Sequence, residues 1–202
     1  MTRVLVISPH TDDAEVGAGG TIMKFKDKFE IFHVGMSACQ DISRNKAFDL
    51  ATEFKAANDF LGIKAEVYEF VNRRFSEQAF QIRECFERLK RNFTPDIILC
   101  PAACDIHQDH QTIYAEAFRV FRNCTILGYE SPRSSIGFRP TLYIILDEET
   151  VKRKCKLITL YKSQSKEYYM QKKVTRANLR HRGAEVGREF AEGFEIIRMV
   201  VS

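Results

Sequence analysis

The sequence predicts an α/β protein built on a Rossmann-like, mostly parallel sheet with helices on both faces. Apolar runs of strand length alternate with amphipathic stretches of ten or more residues, the rhythm of βαβ crossovers. The first run, RVLVISPH at residues 3–10, is continuously apolar, as expected of a strand covered on both faces. Polar clusters follow directly on two strand ends, which is where open α/β sheets bind their ligands.

The elements follow in order. The pattern from about Glu15 to Lys26 is helical, and EIFHVGM at 30–36 resumes as a strand. KAFDLATEFKAANDFLG at 46–62 reads as a helix stopped by Gly62, a residue suited to a helix C-terminus. KAEVYEF at 64–70 is a third strand, EQAFQIRECFERLKRNF at 77–93 an amphipathic helix, and DIILCP at 96–101 a fourth strand. Beyond Asp105 come a helix (HQTIYAEAFRVFRN, 110–123), two strands (TILGYES, 125–131; TLYIIL, 141–146) and a helix (EETVKRKCKLITLYKS, 148–163). A helical stretch within KEYYMQKKVTRANLRHRGAEVG (166–187) and a closing strand, FEIIRMVVS (194–202), complete the chain. No repeat, low-complexity tract or linker interrupts it, so residues 1–202 are expected to form a single domain.

Composition narrows the function classes. At 202 residues and 45% hydrophobic content the chain can bury a sizeable core. The net charge of +4 is dispersed without a single-sign block, and no aromatic stacking motif accompanies it, which argues against a nucleic-acid-binding module. Six cysteines, at 39, 85, 100, 104, 124 and 155, form no CxxC pair and are expected to be reduced, in a cytoplasmic protein. Cys104, near His107 and His110, is expected to be a small loop residue rather than a nucleophile. No apolar run approaches the roughly 20 residues of a membrane span, so neither membrane nor nucleic acid is expected as a partner.

The stretch ISPHTDDAEVGAGGTI, residues 7–22, runs a strand into His10, Asp12 and Asp13. Its GAGG tempts a dinucleotide reading, but Ile22 stands where the fingerprint needs its last glycine, and the two aspartates would repel a pyrophosphate. The glycines are expected to let the helix pack close to the loop and to let a ligand approach backbone N–H groups. The second cluster, CDIHQDHQ at 104–111, follows the strand DIILCP. In a parallel sheet these ends share one edge, so His10, Asp12 and Asp13 meet His107, Asp109 and His110 in one crevice. Paired aspartates repel each other unless a cation sits between them. Histidines and carboxylates in such a crevice suit a hydrolytic zinc centre, which needs three N or O ligands and one open position. His33, inside a strand, is expected to be a core histidine, and His181 to lie on the surface. Tyr129 and Glu130 end a strand on the active edge, and Arg139 and Arg182 are candidate contacts for a sugar hydroxyl or phosphate.

PHTDDAEVGAGGT resembles the His-Pro-Asp-Asp signature of the PIG-L/LmbE-like zinc-dependent N-deacetylases, and HQDH resembles their second signature, His-x-Asp-His. FRPTLYIIL, KLITLYKSQ and RGAEVGREFAEGF resemble the family's later blocks, so the likeness covers most of the chain. It implies an LmbE-like fold in which His10, Asp13 and His110 ligate Zn2+ and Asp12 is the general base toward the water the metal activates. It further implies that His107 faces the substrate carbonyl or leaving amine, with Asp109 orienting its imidazole. Thr11 replaces the family's proline and Glu15 lies one place beyond the usual acidic residue; neither change touches a ligand. No substrate role falls to Arg44. The implied activity is removal of the N-acetyl group from an N-acetylglucosamine-type amino sugar. The competing readings are an amidase that cleaves a larger acyl group from a glucosamine conjugate and a non-catalytic nucleotide-binding domain. A homo-oligomer is expected.

Overall fold

The computed structural model describes residues 1–39 and 49–201; Arg44 and the expected helix start at Lys46 lie outside them. The strands are β1 (Arg3–His10), β2 (Glu30–Ser37), β3 (Lys64–Val67), β4 (Ile97–Pro101), β5 (Thr125–Tyr129), β6 (Leu142–Ile145) and β7 (Ala191–Arg198). The helices are α1 (Asp13–Phe25), α2 (Leu50–Leu61), α3 (Ala79–Phe93), α4 (Gln108–Val120), α5 (Glu148–Ile158) and α6 (Lys172–Ala184). They build one seven-stranded sheet in the order β3-β2-β1-β4-β5-β7-β6. β1 to β5 run parallel, while β7 is antiparallel to both β5 and β6.

The order reverses between β1 and β4, which pair through Val4 with Ile97, Leu5 with Ile98 and Val6 with Leu99. At such a switch point the two following loops diverge to opposite faces and open a crevice. β1 is buried on both sides, as its apolar run requires. Leu5 and Ile7 pack with Ile82, Phe86 and Ile113 of α3 and α4, whereas Val4 and Val6 pack with Ala18 and Ile22 of α1 and Leu157 of α5.

The glycines of α1 serve packing. A Cβ at Gly17 would lie 2.6 Å from the Tyr129 ring and 2.8 Å from the Glu130 carbonyl; one at Gly20 would meet Leu146 at 2.4 Å. They bring the helix onto the sheet and present no amide to a ligand, which corrects that part of the expectation and removes the basis for a dinucleotide site. A buried ion pair pins the same helix. Glu192 accepts the N–H groups of Gly20 (2.8 Å) and Thr21 (2.6 Å), and Lys154 bonds both Glu192 (2.5 Å) and the Val16 carbonyl (2.6 Å).

Several elements depart from the sequence pattern, β3 ending at Val67 rather than Phe70 and β5 at Tyr129 rather than Ser131. The helix expected through Ser163 ends at Ile158, because the chain turns to bury Tyr161 and to place the Ser163 amide and hydroxyl on the Glu53 carboxylate at 3.0 and 2.5 Å. β7 begins at Ala191, three residues early, because Glu192 enters the sheet as the partner of Lys154.

His33 is the core histidine the sequence suggests. The Asn58 amide nitrogen is committed to the Phe54 carbonyl (2.8 Å), so its oxygen accepts from His33 Nδ1 (2.8 Å), and Nε2 accepts from Ser8 Oγ (2.8 Å). Ser8 in turn accepts the Ala14 N–H (3.1 Å), tying the first turn of α1 to the sheet. Burial pushes the imidazole down to about 4. The unfolded chain therefore binds the extra proton between pH 6.5 and about 4, and stability present in full above that window is lost as pH falls through it. The loss is about 3 kcal/mol. Urea unfolding from pH 7.5 to 4 should show a slope in this window that His33→Gln flattens; equal slopes for the two proteins contradict the assignment.

Candidate metal centre

β1 delivers His10 at its last residue, and α1 starts at Asp13, leaving a two-residue loop in which Asp12 occupies the N-cap. Asp13 closes that loop by accepting the His10 N–H at 2.8 Å. Across the switch point, α4 starts after His107, whose Nδ1 caps the helix by accepting the Asp109 N–H at 3.2 Å, and His110 follows within the first turn.

The two loops bring His10 Nδ1, Asp13 Oδ2 and His110 Nε2 together. His10 to Asp13 is 3.2 Å, His110 to Asp13 3.3 Å and His110 to His10 3.4 Å. Tetrahedral ligands about 2.0–2.1 Å from a zinc ion stand roughly 3.3 Å apart. The hydrogen bonds behind the triangle fix the tautomers. His10 Nε2 gives its hydrogen to Asp109 (3.0 Å) and His110 Nδ1 gives its hydrogen to Asp105 (2.8 Å), so the lone pairs of His10 Nδ1 and His110 Nε2 face Asp13. Imidazoles backed by carboxylates are the usual way such ligands are oriented. The donor set fits a divalent cation of the zinc type. His10, His107 and Asp109 form an alternative cluster among the described residues. It fits less well, because Asp109 already accepts from His10 and from the Arg73 (2.7 Å) and Phe75 (3.3 Å) amides.

The electrostatics match. Burial opposes charge on both imidazoles, yet Asp109 and Asp13 hold His10 up at about 10, and Asp13 and Asp105 hold His110 up at about 9, so without a cation each ring keeps a second proton on the nitrogen facing Asp13, which a bound cation would displace. Burial opposes the Asp13 carboxylate too, but the two histidines hold it far below the carboxylate range. The triangle is thus a place built to carry positive charge. Burial and the Asp13 charge push Asp12 up to about 6, while Tyr169 donates to its Oδ2 at 3.3 Å. Burial, with His110 and His10 beside it, lowers His107. The Tyr161 hydroxyl lies 2.5 Å from the Thr11 carbonyl and 2.6 Å from Glu15 Oε1. Its single hydrogen goes to Thr11, which can only accept. The bond to Glu15 is then made by the proton of a neutral carboxylic acid, consistent with burial raising Glu15 to about 8.

His10, Asp12, Asp13, His107 and His110 line one cleft of about 770 Å³. Asp109 lies behind it with its carboxylate on His10 rather than His107, so the expected Asp109 to His107 pairing is corrected: Asp109 orients His10, and only its backbone N–H reaches His107. The four candidate substrate contacts are placed elsewhere. Tyr129 is wholly buried and donates to the Ile7 carbonyl (2.9 Å). Arg182 grips Glu130 with two bonds (3.0 and 2.6 Å) and also bonds Glu185 (2.9 Å), in a separate recess against α6. Arg139 is outside the cleft lining. Sequence reading missed Asp105, visible only as a carboxylate five residues before His110, and it missed Asn72, Arg73, Arg133 and Tyr169, which carry no local motif.

A seven-stranded α/β sheet with a His-Asp-His donor set at its switch point defines the class. Residues 5–121 match the family model of PIG-L, the GlcNAc-PI de-N-acetylase, and the chain belongs to that deacetylase family. It is 24% identical over 167 residues to the uncharacterized deacetylase YaiS of Escherichia coli (strain K12), covering 79% of this chain and 90% of that protein. In fold it is similar to the conserved protein TT1542 of Thermus thermophilus, with a TM-score of 0.82 and 20% identity, covering 100% of this chain and 97% of the other. It is likewise similar to the N,N'-diacetylchitobiose deacetylase of Pyrococcus horikoshii, with a TM-score of 0.81 and 19% identity, covering 97% and 84%. No helix of the described residues is long and apolar enough to cross a membrane.

The carboxylate behind His110 gives a direct check. Asp105→Asn should weaken zinc binding roughly 10- to 100-fold while leaving one site per chain, read by competition with a chromophoric chelator. Unchanged affinity contradicts the orienting role.

Proposed function

We propose that the protein is a zinc-dependent hydrolase that removes the N-acetyl group from an N-acetylglucosamine-type amino sugar. The observation that carries this reading is the triangle of His10, Asp13 and His110 donors with Asp12 beside it on the floor of the cleft. A zinc ion held there supplies a Lewis acid for the amide carbonyl and a water of lowered pKa. Membership of the deacetylase family supports the bond cleaved.

The chain's own groups divide the proton work. Asp12, held near 6, is mostly ionised at pH 7 and still basic enough to take a proton from the attacking water. Tyr169 bonds one of its oxygens, which leaves the other for that proton. His107 accepts the Asp109 N–H at Nδ1, so its hydrogen sits on Nε2. Its lowered pKa keeps it neutral, and it serves as a hydrogen-bond donor to the developing oxyanion. The water oxygen adds to the amide carbon as its proton passes to Asp12. The C–N bond then breaks as Asp12 passes that proton to the nitrogen, giving acetate and the free amine.

Zinc-loaded protein should release acetate from N-acetylglucosamine derivatives. Asp12→Ala should lower kcat by roughly 10²- to 10⁴-fold with zinc content unchanged. Undiminished acetate release from that variant contradicts the role of Asp12.

A further inference from the structure

We infer that the amino sugar taken by this cleft carries an anionic group, a phosphate or a carboxylate, held at the mouth by Arg73, Arg133, Lys162 and Lys166. The inference rests on the deacetylase reading and adds the charge of the substrate to it.

The cleft is electrically divided. Asp12 and Asp13 on the floor are its only lining carboxylates among the described residues, and Asp13 is already matched by two imidazoles. Outward from them, every charged lining side chain among the described residues is a cation. Arg73 comes from the segment after β3, Arg133 from the β5–β6 loop, and Lys162 and Lys166 from the segment between α5 and α6. Three separate segments thus converge with one sign of charge, which raises the local potential for an anion. A neutral sugar would gain nothing from it.

These cations are also left unmatched. Some arginines elsewhere are paired, as Arg83 with Glu116 at 2.6 Å and Arg176 with Glu148 at 2.7 Å, whereas others, such as Arg91 and Arg153, have no ion pair among the described residues. Among the described residues Arg73, Lys162 and Lys166 have no ion pair, and Arg133 has only Glu167 at 3.6 Å.

Arg73 adds an independent observation. Its φ of 65° is left-handed, a conformation glycine adopts freely and arginine resists. It is held there because its N–H donates to Asp109 Oδ2 at 2.7 Å, the oxygen that also receives His10. The strained residue is therefore fixed to the metal centre through one carboxylate, and it carries a guanidinium at the cleft, the group best shaped to grip a phosphate or carboxylate. Beside it, Asn72 is only 7% exposed in the cleft wall and has no hydrogen-bond partner among the described residues, an amide available to a polar ligand.

The test measures acetate release by the zinc-loaded full chain from methyl N-acetylglucosaminide, N-acetylglucosamine 1-phosphate and a carboxymethyl glycoside of N-acetylglucosamine, at low and high salt. At least one anionic substrate should exceed the neutral one by roughly 10- to 100-fold in kcat/KM, mainly through KM, with the advantage shrinking at high salt. The better arm identifies the anion. Arg73→Ala and Lys166→Ala should cut that advantage, and Arg73→Lys should restore part of it. No preference for either anionic sugar overturns the inference and leaves the deacetylase reading standing. A preference that neither alanine variant reduces comes from ligation of the metal by the anion and also overturns it. If no sugar yields acetate, the deacetylase reading falls. Calorimetric titration of the same sugars then decides the charge: tighter binding of an anionic sugar sustains it, and equal affinities overturn it.

Discussion

Parallel pairing of β1 with β4, where the sheet order reverses, decides where every other functional group stands. It sets His10 at one strand end directly beside the loop that leads into α4, and the divergence of the two following helices opens the cleft above them. α1 must then begin within a few residues of His10, and it does so because Gly17 and Gly20 let it lie against Tyr129 and Leu146. The Lys154 to Glu192 pair locks that approach from the far side. Breaking one partner of so buried a pair would leave an uncompensated charge under the helix that carries Asp13.

On this frame the carboxylates do more positioning than chemistry. Asp109 joins three segments: it fixes the His10 tautomer, pins the Arg73 amide and reaches the Phe75 amide. Asp105 does the same for His110 and the His107 amide. The nitrogens of the proposed ligands are thus aimed by buried hydrogen bonds to these carboxylates. Negative charge is concentrated on the floor and positive charge at the mouth, a polarity that would orient a substrate with its amide inward and its anionic end outward.

The alternation of apolar runs and helical periods was legible because it is local, and so were the two motifs that supply His10, Asp12, Asp13, His107 and His110. What the sequence concealed depends on contacts between distant segments. The HQDH spacing makes Asp109 look like the partner of its neighbour His107, but α4 turns that carboxylate toward His10, 99 residues away. Arg182 reads as a spare cation until Glu130 is found against it, and Tyr129 as an edge residue until its hydroxyl is found under β1. Glu192 breaks an apolar pattern and hides the start of β7, since its partner Lys154 lies on the distant helix α5. Asn72, Arg73 and Arg133 reach the cleft from loops whose paths no periodicity announces.

The central claim is the identity of the three ligating atoms. Anomalous difference density at the zinc edge, from crystals of the zinc-loaded protein, tests it most directly. The account predicts a single strong peak bonded to His10 Nδ1, Asp13 and His110 Nε2. A peak seated instead among His10, His107 and Asp109, or no ordered zinc in the cleft, would contradict it.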